Sequence, residues 1–107
     1  MNKGLNKEEI IQRLGEALPS LRERYGVERI ALYGSFVKGK PGRRSDADIL
    51  VRLAKPLGLK FVELARHLEE MLGRKVDLAT FEALRRSMEN ARYKEIATEV
   101  QRTLVYV

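Results

Sequence analysis

The sequence predicts an α/β fold, a small mixed β-sheet with helices packed on one side, in the order α-β-(α)-β-α-β-α. Three observations predict it. Short apolar runs of strand length, around residues 29–33, 46–53 and 75–79, alternate with longer stretches whose apolar residues recur at helical spacing. The link between the first two runs is short and glycine-rich, which permits an antiparallel pair, whereas the link to the third carries a whole helix and permits a parallel one. The length of 107 residues suits one core and not two, so residues 1–107 are expected to form a single domain.

Taken in order, Asn6 followed by Glu9 has the pattern of a capping box, and Ile10, Ile11, Leu14 and Leu18 recur behind it, so the chain opens with a helix. Pro19 is expected to interrupt that helix, leaving Ser20 to Tyr25 as a separate or kinked turn ending at Gly26. The run from Arg29 to Tyr33 is short, apolar and bounded by Gly34-Ser35, which fits a buried strand. Gly34, Gly39, Pro41 and Gly42 then mix with Lys38, Lys40, Arg43 and Arg44 in a basic loop, with one helical turn near Phe36. Ala47, Ile49, Val51 and Leu53 alternate with Asp46, Asp48, Leu50 and Arg52, a second strand with one apolar face. Its other face begins with two carboxylates.

Pro56 and Gly58 break this strand, and Leu57, Phe61, Leu64, Leu68 and Leu72 trace a helical stripe closed by Gly73. The third strand spans Lys75 to Ala79, with Val76 and Leu78 on the face opposite Asp77. From Thr80 onward Leu84, Met88, Ile96 and Val100 mark helix with a break near Asn90, and Leu104 to Val107 closes the chain as a short edge strand.

Composition narrows the chemistry. With no cysteine, disulfides, thiolate metal sites and cysteine nucleophiles are excluded, and any metal must be held by oxygen or by the single His67. A lone His on a helix bearing Leu64 and Leu68 reads as a surface or helix-edge residue. No apolar segment is long enough to span a membrane and the N-terminus has no apolar signal region, so a cytoplasmic protein is expected. The net charge of +6 favours an anionic partner, whether a triphosphate, a nucleic acid or an acidic protein surface.

Asp46 and Asp48 leave the same face of one strand with backbones about 7 Å apart, so their oxygens can converge on one ion. Two carboxylates that close repel unless a cation neutralises them, and hard oxygen ligands on a rigid strand suit Mg²⁺, which also takes substrate phosphates as ligands. Asp77, on another strand, reaches the same cleft if the second and third strands are neighbours, where it can bind metal or accept a proton. At Gly34-Ser35 the missing side chain lets a phosphate approach backbone N–H groups, with the Ser35 hydroxyl as a further donor. Lys38 and its basic neighbours can add charge along the phosphate path.

Gly34-Ser35-Phe36-Val37-Lys38-Gly39, followed by Ser45-Asp46-Ala47-Asp48-Ile49-Leu50-Val51, resembles the signature of the polymerase-beta-like nucleotidyltransferase superfamily. Val76-Asp77-Leu78 resembles its third-carboxylate strand, and the size and element order resemble the minimal nucleotidyltransferase branch over nearly the whole chain. The resemblance implies a nucleotidyltransferase fold in which Gly34, Ser35, Lys38 and Ser45 bind the nucleotide. It also implies that Asp46, Asp48 and Asp77 bind Mg²⁺, as one ion or two, and perform catalysis. Lys38 stands where this branch often has Arg, and an ammonium lacks the bidentate fork of a guanidinium. The implied reaction transfers NMP, with ATP the expected donor, to an acceptor hydroxyl with release of pyrophosphate. The implied partner is a small helical HEPN-type protein in an antitoxin–toxin pair. The competing reading is a non-catalytic module that neutralises such a partner by masking it. A nucleic-acid-binding domain is disfavoured by sparse aromatics and the lack of a recognition motif.

Overall fold

The computed structural model describes residues 6–34, 47–90, 92 and 94–107. The helix α1 (Lys7–Tyr25) starts at a complete capping box: the Asn6 side chain accepts from the Glu9 amide at 2.8 Å, and Glu9 Oε1 accepts from the Asn6 amide at 3.0 Å. It ends at Gly26, whose φ of 71° is the left-handed conformation of a helix C-cap.

Contrary to the sequence expectation, Pro19 does not split this helix. Proline in a helix interior costs about 3 kcal/mol relative to alanine, through a lost hydrogen bond and a clash with the carbonyl four residues back. Beyond Pro19, however, Leu21 and Tyr25 are buried beside Ile10 and Leu14. Burying each such side chain returns roughly 1.5–3 kcal/mol, so continuing the helix outweighs breaking it.

The strands β1 (Val27–Tyr33), β2 (Ala47–Leu53), β3 (Val76–Thr80) and β4 (Val105–Tyr106) form a mixed sheet in the order β3-β2-β1-β4. As the connections predict, β1 and β2 are antiparallel and β2 and β3 parallel. A bulge between Val27 and Arg29 shifts the β1–β2 register, after which Ile30 and Leu32 face the core. The strand β4 pairs antiparallel with β1 at the edge, where the Val107 amide donates to the Ile30 carbonyl at 2.9 Å.

The helix α2 (Lys60–Leu72) presents Leu64, Leu68 and Leu72 to the same face of the sheet as α1, and one core joins them to Ile30, Leu32, Ala47, Ile49 and Val51. Arg13 donates to the Met71 carbonyl at 2.9 Å, tying the two helices together. The expectation of helices packed on one side describes this layer. Two shorter helices, α3 (Phe81–Glu89) and α4 (Lys94–Thr103), pack on each other, and α3 also touches β2 and β3. Thr80 caps α3 by accepting from the Ala83 amide at 3.1 Å. The helical turn expected near Phe36 lies outside the described residues.

Candidate active site

Strand parity fixes what the second face of the sheet carries. Because Ala47, Ile49 and Val51 are wholly buried under α1 and α2, Asp48 and Leu50 point the other way. The same holds for Asp77, which is exposed between the partly buried Val76 and Leu78. Three hydrogen bonds set the register here: the Ala47 amide donates to the Lys75 carbonyl at 2.9 Å, and the Val76 amide to Glu69 Oε2 of α2 at 3.1 Å, while the Ala54 amide fixes the far end of β2 on the Gly26 carbonyl at 2.8 Å.

In this register Asp48 is the direct partner of Asp77 on β3 and of Tyr33 on β1. Ladder partners share a face, so Tyr33, Asp48 and Asp77 form one row across three strands, with neighbouring backbones about 4.8 Å apart. Gly34 follows Tyr33 at φ 81°. A Cβ added there would collide with Asp48 Oδ2 and lie 3.1 Å from Asp48 Cγ, so the Asp48 carboxylate occupies the space that glycine leaves.

Tyr33 reports the electrostatics of the row. Its hydroxyl is pushed up to about 12 by burial first, then by the negative charges of Asp77 and Asp48. The phenol therefore stays neutral at physiological pH and can act as a hydrogen-bond donor beside two carboxylates. Sequence reading placed Tyr33 only at the end of a strand. The signal that could have found it was parity: given the antiparallel pairing, Tyr33 must face the same way as Asp48.

Of the residues singled out in the sequence, the structure brings Gly34, Asp48 and Asp77 together. Ser35, Lys38, Ser45 and Asp46 lie outside the described residues, as do Lys40, Arg43 and Arg44. Among the described residues no group of three or more His, Asp or Glu side chains could hold a metal ion; the row supplies two carboxylates. Their chemistry fits a hard divalent cation: all-oxygen donors on adjacent, in-register strands. His67 is elsewhere, its ring tilted against Tyr25 at 6.2 Å. No helix among the described residues is long and apolar enough to cross a membrane.

A small mixed sheet with helices on one face and in-register carboxylates beside a glycine turn on the other defines the class: an α/β domain for transferring nucleotidyl groups. Residues 14–104 match the family model described as nucleotidyltransferase domain. The chain belongs to that family. It is 41% identical over 104 residues to the protein adenylyltransferase MntA of Thermococcus cleftensis, covering 96% of this chain and 97% of the relative. A solved structure described as a candidate minimal nucleotidyltransferase superposes with a TM-score of 0.69 at 27% identity, over 97% of this chain and 98% of that one. A crystal structure of a toxin–antitoxin with AMP-PNP matches 76% of this chain and 59% of its own, at 35% identity and a TM-score of 0.52.

Proposed function

We propose that residues 1–107 act as one Mg²⁺-dependent nucleotidyltransferase domain that transfers AMP from ATP to a hydroxyl on a partner protein. The observation that carries the reading is the pairing of Asp48 with Asp77 on the face beside Gly34, in a chain of this family. The choice of AMP and of a protein acceptor follows the adenylyltransferase relative and the AMP-PNP structure. A small helical HEPN-type protein is the partner that the sequence resemblance supplies, and the cytoplasm is the compartment where such a pair would act.

Each residue then has a role. Backbone N–H groups at Gly34 and Ser35, the Ser35 and Ser45 hydroxyls and the Lys38 ammonium hold the triphosphate. Asp46, Asp48 and Asp77 hold Mg²⁺, as one ion or two, which when bound neutralises charge on the phosphates and the departing pyrophosphate. Asp77, exposed at the outer strand, accepts the proton of the acceptor hydroxyl as its oxygen bonds to the α-phosphorus and the bond to the pyrophosphate oxygen breaks. Tyr33, neutral and half-buried, keeps its hydroxyl proton beside the two carboxylates and offers the row a hydrogen-bond donor.

Calorimetry of ATP with and without Mg²⁺ tests the assignment. Wild type should bind more tightly with Mg²⁺, and Asp48→Asn should lose at least about tenfold of that gain, since even residues that merely support a metal ligand cost as much. Equal binding in all four titrations would overturn it.

A further inference from the structure

We propose that a second, basic cleft on this domain docks an acidic, amphipathic segment of the acceptor protein. The proposal rests on the transfer reading above and supplies what that reading lacks, a surface that holds the acceptor. The cleft, of about 810 Å³, opens where β1 and β2 meet the start of α3, and none of Tyr33, Gly34, Asp48 or Asp77 lines it. Five cationic side chains do, Arg29, Arg52, Lys55, Arg85 and Arg86, against one acid, Glu82. Such an excess in a concave site focuses a field that attracts carboxylates. Arg52 also bridges Glu28 at 3.5 Å, yet its side chain stays 65% exposed.

Position ties the cleft to the reaction. Arg29 pairs with Arg52 in the same ladder in which Tyr33 pairs with Asp48, four residues further along each strand. The basic and acidic rows therefore share one face of the sheet, roughly 13 Å apart, with the buried Ala31 and Leu50 between them. A partner that reaches across the covered stretch between the rows can set an acidic segment on the arginines while a hydroxyl reaches Asp77.

Two observations favour a protein segment over a nucleic acid. Base-binding grooves offer open aromatic faces, but here Tyr106 stacks on Phe81 at 5.8 Å and 2°, with the Arg29 guanidinium 5.7 Å from its ring centre. The stacking engages one face of each ring within the chain, while Tyr106 as a residue stays 53% exposed. Aliphatic side chains are also exposed close by in the chain: Leu59 is 89% and Val62 55% exposed, in the turn and helix that carry the lining residues Leu57 and Phe61. Exposed aliphatic groups beside guanidinium groups suit a helix with leucine on one face and glutamate on the other.

Fluorescence anisotropy with a labelled peptide of that pattern tests the proposal, with an oligouridine RNA as the rival ligand. Wild type should bind the peptide more tightly than the RNA. Lys55→Glu combined with Arg86→Glu should weaken peptide binding about tenfold, as expected for reversing two exposed charge pairs. Glu82→Gln should tighten it about twofold, a gain that a damaged fold cannot produce. No binding to wild type, no response to either set of substitutions, or tighter binding of RNA that the double variant weakens would each overturn the proposal. Mg²⁺-dependent ATP binding, measured on the same proteins, separates the two readings. Its absence from all of them with peptide binding intact would overturn the transfer reading, and its retention with no peptide binding would overturn the cleft alone.

Discussion

Gly34 and Asp48 show how one missing side chain sets the geometry of the row. At φ 81° any other residue is strained, and here its Cβ would also strike the Asp48 carboxylate. Gly58 gives the matched control, with φ 60° and nothing within 4 Å of an added Cβ. We expect Gly58→Ala to cost about 1 kcal/mol, the backbone term alone, and Gly34→Ala to cost more and to displace Asp48. Denaturant melts of both variants measure the difference; equal losses would mean that the carboxylate does not need the space. Tyr33 makes a second prediction. The folded chain holds its proton to about pH 12 whereas the unfolded chain releases it near 10, so stability present below pH 10 should fall as pH rises through that window. In Tyr33→Phe that component of the alkaline loss should vanish, with unfolding at several alkaline pH values as the readout. Why Gly34, Asp48 and Asp77 were legible in the sequence while Tyr33 was not is a matter of register. Alternation along a single strand puts an acid opposite its apolar neighbours, but a tyrosine at a strand end joins the row only once its pairing with Asp48 is known.

At the scale of elements, local rules and burial agree almost everywhere. The capping box at Asn6, the left-handed glycines at 26 and 73 and the alternation of β2 all act within a few residues, so the sequence predicts their positions. The antiparallel and parallel pairings follow as readily from connection length. Pro19 is the exception, because its local preference is overruled by contacts of Leu21 and Tyr25 that no window of neighbouring residues reveals. Its ring sits on the exposed side of α1. Pro19→Ala should therefore restore a donor for the Gly15 carbonyl and stabilise the protein by about 1–3 kcal/mol, less whatever the freer unfolded chain takes back. A lower melting temperature in that variant would show that the proline has a structural role beyond the helix.

For the whole molecule, the two layers divide the work. The helices α1 and α2 bury one face of the sheet in a continuous core, and the other face, buried at its middle around Ala31 and Leu50, carries charge at its ends: carboxylates at one, guanidinium groups at the other. That separation lets a domain this small hold a metal-bound triphosphate and still meet a protein acceptor, on the reading proposed above. Transfer itself can be read by mass spectrometry of a small helical HEPN-type partner after incubation with the domain, ATP and Mg²⁺. We expect AMP on a Ser, Thr or Tyr hydroxyl of the partner, and none when Asp46→Asn or Asp48→Asn replaces the wild type. A tight complex without any adduct, in which the Asp46→Asn protein neutralises the partner as well as the wild type does, would contradict it and identify the domain as a masking module.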